Sequence, residues 1–283
     1  MDLARRIAFN HATFGWDLPF PEFLSVVTNV GAGGVGVWSE HLGGLSPEVA
    51  GARIRDAGLA VTALNRGGFF VGATKADRQK SIDLTRMQIE FTARLGADVL
   101  LIVPGGLSTD VRDLSQARGH VAEGLEAVLP YAASAGIKLA LEPFHPALTV
   151  ARGVVNTLSS ALDLCDLFGP CLGVITDIYH VWWDPEVYAA IARAGSRILG
   201  HHLCDSKLDA SDPMMDRGVM GDGVADVAGL TRAVRQAGYS GLFEIEIFSR
   251  DDLWRRPAPE VAKLCLDRAV RCLSESDRES PCA

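Results

Sequence analysis

The stretch KLALEPFHP, residues 138–146, is a short apolar run that ends in Glu142 and is closed at once by Pro143. Its length and its near-continuous hydrophobicity are typical of a parallel β-strand that helices cover. A buried charge without a partner is costly, so a carboxylate at the end of such a strand needs a reason to be there. The stretch therefore predicts a buried strand that delivers Glu142 to a polar site.

Seven further runs of the same kind occur along the chain, and amphipathic segments separate them. The strand candidates are residues 7–14, 34–40, 60–66, 98–104, 138–143, 172–178, 198–204 and 242–248. The segments between them predict helices near residues 20–30, 47–57, 75–95, 110–135, 156–168, 185–195, 226–237 and 258–275. Several of these helices end at a glycine just before the next strand, in the sequences AGL, LGA, AGI and AGY, which favours a left-handed C-terminal cap.

Eight β/α units of this size predict a fold of the α/β class, a single-domain (β/α)8 TIM barrel over residues 1–275. The active site of such a barrel lies at the C-terminal ends of its strands. A doubly wound sheet is the alternative, but FNHATFGWDLPF, which follows the first strand, lacks the glycine-rich phosphate turn of that fold. Residues 276–283 are polar, and we expect a disordered tail there.

Charge and composition limit the function. The net charge of −8 over 283 residues opposes binding to nucleic acid or to an anionic membrane, because a polyanion needs an excess of Lys and Arg. The N-terminus lacks the apolar run of a signal peptide, and no window approaches the length of a membrane span, so we expect a cytoplasmic protein. The six cysteines form no C-x-x-C pair and are interpreted as reduced thiols.

Polar side chains also end the three strands that follow Glu142. Asp177 ends the sixth strand, the seventh contains a histidine pair in HHLCD, and the eighth carries glutamates in FEIEIF. Carboxylates crowded at one barrel mouth repel one another and take up protons unless a divalent cation neutralises them. Hard oxygen ligands with one imidazole suit Mn²⁺ or Mg²⁺, with Co²⁺ or Zn²⁺ as alternatives.

Two positions in this set have alternatives. Side chains alternate along a strand, so only one of His201 and His202 faces the barrel axis. Glu244 and Glu246 share a face, and Glu244, one layer deeper, has the alternative role of a structural carboxylate paired with a basic residue. The strand ends also bring His11, Trp38 and Arg66 to the same mouth, where an aromatic ring can stack on the apolar face of a sugar.

Five motifs in this order resemble those of the xylose isomerase-like family of TIM barrels, the sugar phosphate isomerases/epimerases, which includes ketose 3-epimerases and inosose dehydratases. They are LALEP on the fifth strand, D-x-x-H at 177–180, HLCD at 202–205, RGVMGDG at 217–223 and GYSGLFEIEIF before and through the eighth strand. The resemblance covers nearly the whole chain. The segments WSEHLGG and NRGGFF on the second and third strands are not those of the well-known ketose epimerases, which leaves the substrate open.

The resemblance implies a role for each motif. One divalent metal ion would be held by four residues, namely Glu142, Asp177, His202 and Glu246, which selects His202 over His201. His180 and Arg217 would contact the substrate. Such barrels often pair, so a homo-oligomer is left open.

The function this predicts is a metal-dependent isomerase or epimerase acting on a small-molecule carbohydrate. A proton next to a carbonyl would be removed through a metal-stabilised enediolate, with Glu142 and Glu246 as base and acid. One alternative is a metal-dependent lyase or dehydratase acting on a keto-inositol or keto-glycoside. The other is a non-catalytic sugar-binding or partner subunit.

Overall fold

The barrel is closed in a computed structural model that describes residues 2–277. Eight parallel strands pair with their neighbours in chain order, and the last pairs with the first. They are β1 (Ile7–Asn10), β2 (Gly34–Trp38), β3 (Ala60–Gly68), β4 (Val99–Val103), β5 (Lys138–Leu141), β6 (Leu172–Asp177), β7 (Ile198–Leu203) and β8 (Phe243–Ile245). The predicted fold class is confirmed.

Helices follow every strand and form the outer layer. They are α1 (Phe20–Asn29), α2 (Pro47–Asp56), α3 (Lys75–Leu95), α4 (Leu114–Ser134), α5 (Leu158–Phe168), α6 (Ile178–Val181), α7 (Val187–Ala194), α8 (Val227–Gln236) and α9 (Ala258–Ser276). The single turn α6 was not predicted. It starts directly after β6 because the Asp177 side chain accepts a hydrogen bond from the Tyr179 amide at 2.8 Å.

Several strands end earlier than the apolar runs that predict them. The first run extends to residue 14, but β1 ends at Asn10, whose side chain accepts the Ala12 amide at 3.0 Å and starts a 3-10 helix. At the C-terminus, α9 continues to Ser276, and Asp277 forms an ion pair with Arg235. These two residues therefore belong to the folded domain rather than to the predicted tail, of which residues 278–283 lie outside the described part.

One glycine on β2 makes room for charge inside the barrel. A Cβ atom on Gly36 would lie 1.9 Å from Oε1 of Glu244, so only a residue without a side chain leaves space for this carboxylate.

Between residues 2 and 277, no helix is long and apolar enough to cross a membrane.

Candidate metal centre and active site

Four side chains from consecutive strands meet at the C-terminal end of the barrel. Glu142 follows β5, Asp177 ends β6, His202 lies on β7 and Glu246 follows β8. Each is buried, and one ligand atom from each lies within 4.8 Å of the others. The spacing arises because parallel strands place their carboxyl ends at one rim. These four are the residues that the sequence predicts as metal ligands.

The atoms at the centre of this cluster fit a metal ion. Nδ1 of His202 lies 3.5 Å from Oε1 of Glu142, 3.5 Å from Oε2 of Glu246 and 3.9 Å from Oδ2 of Asp177. His202 Nδ1 and Glu142 Oε1 are buried and have no hydrogen-bond partner among the described residues. Buried polar atoms are almost always satisfied, so two facing atoms without partners indicate a ligand between them. Carboxylate oxygens and an imidazole nitrogen are suitable donors for a divalent transition metal or Mg²⁺.

The charges in the cluster also favour a bound cation. Burial raises the pKa of Glu142 well above its usual range, and the carboxylates of Glu246 and Asp177 raise it further. Burial by itself lowers the pKa of His202, but Glu246 and Glu244 outweigh it and raise that pKa to about 10. The cluster therefore takes up a proton where a divalent ion would supply the positive charge.

Glu244 lies one layer below the cluster and faces the other ring nitrogen of His202. Its Oε2 atom is 3.9 Å from Nε2 of His202 and accepts a hydrogen bond from the Thr62 hydroxyl. Asn10 Nδ2 donates to Glu244 Oε1 at 2.6 Å and to Glu246 Oε1 at 3.0 Å. The basic neighbour of this deeper carboxylate is thus an imidazole, and Asn10 links the two layers.

His201 points away from the barrel axis. Its Nδ1 is 2.8 Å from the Thr176 hydroxyl and its Nε2 is 3.2 Å from the Thr231 hydroxyl on α8. Burial lowers the pKa of His201 to about 3, so the ring is neutral. The structure therefore brings only His202 of the histidine pair to the cluster.

Arg217 is buried against two of the four candidate ligands. Its Nη1 atom lies 2.8 Å from Oδ2 of Asp177 and 3.3 Å from Oε2 of Glu246. The guanidinium lies between the rings of Tyr179 and Phe248, at 4.6 and 4.8 Å from their centroids. Arg217 thus offsets carboxylate charge in the cluster and also reaches the cavity above it.

His180 is neutral, and its contacts define its tautomer. Burial lowers its pKa to about 3. Its Nδ1 accepts the backbone N–H of His145 at 3.2 Å, so the ring proton lies on Nε2, which faces Oδ2 of Asp177 at 3.6 Å. Nη2 of Arg217 lies 3.4 Å from Nε2 of His180. Both nitrogens then carry protons, so they do not form a hydrogen bond with each other. His180 presents an N–H to the site.

A cavity of about 260 Å³ opens above the cluster. Trp38, Arg66, His180 and Arg217, which the sequence predicts as substrate contacts, line it. His11 does not. Its Nε2 is 2.9 Å from the carbonyl oxygen of Leu18 and its ring stacks on Phe23 at 4.4 Å.

Sequence reasoning missed other lining residues, namely Trp16, His41, Arg152, Met214, Met215 and Phe248. Most of them lie in loops, where no strand or helix period indicates which side chain faces inward. The one available signal was position, because Phe248 is two residues beyond Glu246 and alternate side chains of an extended segment share a face.

Fold and site together define a (β/α)8 barrel with a carboxylate–histidine cluster on the floor of a cavity at its C-terminal mouth. The family model described as xylose isomerase-like TIM barrel matches residues 30–267, and the chain belongs to that family.

Relatives support this assignment. Protein SMc04130 from Sinorhizobium meliloti 1021 is 42% identical in sequence to this chain. The match covers 95% of this chain and 98% of that protein, and its crystal structure superposes with a TM-score of 0.92. L-ribulose-5-phosphate 3-epimerase UlaE of Salmonella typhi is 27% identical over 192 residues, 66% of this chain and 62% of that protein. The chain therefore spans less than two thirds of the length of this curated relative.

A more distant structure agrees in fold. IolI protein, described with a binding zinc atom, is 19% identical with a TM-score of 0.80, and the match covers 96% of this chain and 99% of IolI. This likeness shows the fold alone.

Proposed function

We propose that the protein is a divalent-metal-dependent isomerase or epimerase that moves a proton at the carbon next to a carbonyl of a sugar or sugar derivative. The observation that carries the proposal is the meeting of Glu142 and Glu246 in one buried cluster, with the unpaired atoms Glu142 Oε1 and His202 Nδ1 facing each other. The curated relative is an epimerase, and the zinc described in IolI supports the metal.

The four cluster residues, Glu142, Asp177, His202 and Glu246, would hold the ion. When bound, it would stabilise the negative charge that develops on the substrate oxygen as the neighbouring carbon loses its proton. Glu246 is fixed by Asn10 on Oε1 and by Arg217 on Oε2, whereas the carboxylate of Glu142 has no arginine or amide partner on Oε1 among the described residues. Two carboxylates from different strands can act on the two faces of one carbon, one removing the proton and the other returning it.

The cavity suits a small carbohydrate. Its volume of about 260 Å³ lies just below the range of roughly 300–1,000 Å³ that is typical of small-molecule sites. Trp38 is held by a hydrogen bond from Nε1 to Asn10 Oδ1 at 2.7 Å, and Trp16 packs against it edge to face at 5.1 Å. These rings form an apolar wall for the C–H face of a sugar, while the N–H of His180 and the guanidinium of Arg217 face its hydroxyls.

Exchange of substrate protons with solvent tests the proposal. Purified protein is stripped with a chelator, reloaded with Mn²⁺, Mg²⁺, Co²⁺ or Zn²⁺, and incubated in D₂O with ketoses, ketose phosphates, a keto-inositol and a 3-keto-glycoside. NMR should show metal-dependent deuterium at the carbon next to the carbonyl. Release of water or of the aglycone instead would assign the lyase alternative.

Matched variants locate the chemistry. Glu142→Gln and Glu246→Gln should each lower the exchange rate by a factor of about 100 or more, since each removes a proton-transfer group. Glu186→Gln, an exposed residue at the start of α7, makes the same change outside the cavity and should leave the rate unchanged. Metal-loaded protein that exchanges no proton in any of these substrates would contradict the proposal.

A further inference from the structure

The cavity is lined by more arginines than the proposed proton transfer uses. Three arginines and three glutamates line it, namely Arg66, Arg152, Arg217, Glu40, Glu142 and Glu246. Asp177 contributes one more negative charge to the floor, and a divalent ion would contribute two positive charges. With Glu244 beneath the floor included, a divalent ion and the three arginines would just balance the five carboxylates, so the pairing of each arginine, rather than the net charge, shows which of them is open to a ligand.

Of the three arginines, only Arg217 forms close ion pairs with buried carboxylates among the described residues. Arg217 is bound by Asp177 and Glu246. Arg66 reaches Glu40 only at 3.9 Å, and Glu40 is itself exposed to solvent. The Nε atom of Arg66 is buried and has no hydrogen-bond partner among the described residues. Its guanidinium lies 4.8 Å from the Trp38 ring, which holds the group in place without neutralising it.

Arg152 has no counterion in the part of the chain that the structure describes. Within residues 2–277, its half-buried guanidinium makes no hydrogen bond and no ion pair. Arg152 and Arg66 line the same cavity, and the pKa of Arg152 is lowered by burial and, further, by the positive charge of Arg66. A partly desolvated cation next to another cation is unfavourable unless an anion joins them.

The main chain around Arg152 is already fixed. Its N–H donates to the Leu148 carbonyl at 2.8 Å, and its carbonyl accepts the Gly105 amide at 3.1 Å. A Cβ atom on Gly106 would lie 2.2 Å from the Val150 carbonyl, so the loops after β4 and β5 pack with no space between them. The unpaired guanidinium thus extends from a rigid backbone, as a preorganised binding group does.

We propose that Arg66 and Arg152 bind an anionic group of the substrate, on the side of the cavity formed by β3 and the loop after β5, and that the substrate is therefore an acidic carbohydrate. This inference rests on the proposed function for its choice of a carbohydrate. The two guanidinium groups suit a carboxylate or a phosphate equally, because both anions accept paired hydrogen bonds from the planar fork of arginine. The ligand is thus a sugar acid or a sugar phosphate.

Binding of unreactive polyols tests the inference apart from any turnover. Ribitol, ribitol 5-phosphate and ribonate have no ketone or aldehyde group, so calorimetry on metal-loaded protein measures recognition alone. At least one of the two anions should bind about tenfold or more tightly than ribitol, the factor expected for one charge-assisted hydrogen-bonded pair. The tighter of the two anions distinguishes a phosphate site from a carboxylate site.

Three variants separate Arg152 from a general effect of charge. Arg152→Gln should remove most of the preference for the anion, and Arg152→Lys should retain part of it, since the charge stays but the fork is lost. Arg112→Gln is the matched control, because Arg112 is exposed and, among the described contacts, its side chain bonds only its own loop through the Thr109 carbonyl. It should leave anion binding unchanged.

The outcomes distinguish this inference from the proposed function. The inference would be overturned if ribitol bound as tightly as both anions, or if Arg152→Gln left the anion preference intact. Proton exchange with a neutral ketose would in that case leave the isomerase or epimerase proposal standing. Anion binding that Arg152→Gln abolishes, in a protein that exchanges no substrate proton, would support the anion site and refute the proposed chemistry.

Discussion

Replacing Arg217 by methionine tests how the cluster balances its charge. The substitution keeps an unbranched apolar side chain between the rings of Tyr179 and Phe248 but removes the guanidinium that lies 2.8 Å from Asp177 and 3.3 Å from Glu246. Both carboxylates are buried, so water does not replace the lost partner. We expect a large loss of stability in the metal-free protein.

The magnitude follows from the burial of the pair. Removing one member of a buried ion pair costs about 3–5 kcal/mol, because the charge that remains is uncompensated. Each kcal/mol corresponds to roughly 2–4 °C in Tm for domains of about 150–250 residues, so in this slightly larger chain of 283 residues the shift should be at most roughly 6–20 °C. Mn²⁺ should recover part of this loss, since the ion supplies positive charge to the same two carboxylates.

Thermal unfolding followed by circular dichroism, in chelator and in Mn²⁺, measures both effects. Arg193→Met is the control, because Arg193 also pairs with two aspartates, at 2.8 Å from Asp163 and 2.5 Å from Asp166, but on the surface. Exposed pairs contribute about 0–1 kcal/mol each, so this variant should unfold close to the wild type. If Arg217→Met lost no more stability in chelator than Arg193→Met, the assignment of Arg217 as the charge partner of the cluster would be refuted.

Three shorter predictions concern the metal ligands and the layer beneath them. Chelation should lower Tm, and Mn²⁺ at about one hundred times its Kd should restore about 2.7 kcal/mol of unfolding free energy. Glu246→Gln should lose this gain in the same melts, and an equal gain in the variant would exclude Glu246 as a ligand. Elemental analysis should find no bound ion in His202→Ala. His201→Ala should keep the ion but lose about 1–3 kcal/mol of unfolding free energy with the hydrogen bonds of His201. The reverse result would contradict the assignment of His202 as the ligand. Gly36→Ala should displace Glu244, whose Oε1 lies 1.9 Å from the new Cβ position, and cost about 1–3 kcal/mol in urea unfolding, so unchanged stability would argue against this close contact.

Local sequence signals were sufficient to predict the barrel. Five of the strands, β1, β2, β4, β6 and β8, are buried along their whole length. The glycines that close four of the helices, at positions 58, 96, 136 and 238, all have positive φ. Because the strands are parallel and in chain order, knowing their ends also predicted that Glu142, Asp177 and Glu246 would meet. The strand boundaries were less accurate, since a side chain such as that of Asn10 ends a strand through a hydrogen bond that hydrophobicity does not report.

The walls of the cavity were harder to predict, because they depend on contacts between distant loops. Arg152 is identified as a cavity residue only once the loops after β4 and β5 pack together through Gly105 and Gly106. His11 illustrates the opposite error, since its place after β1 suggested the mouth. Its ring instead fills a space against Phe23 on α1, while His41 lines the cavity.

We expect the two sides of the mouth to have different roles. The cluster residues come from β5 to β8 and are tied to one another, whereas Arg66 and Arg152 lie on β3 and in the loop after β5 and have no hydrogen bond to any cluster residue among the described contacts. Loss of charge at Arg152 should therefore weaken substrate binding and leave metal binding intact. Loss of a cluster carboxylate should instead weaken metal binding. Substitution of Arg66 or Arg152 could then change the preferred substrate without altering the groups that move the proton.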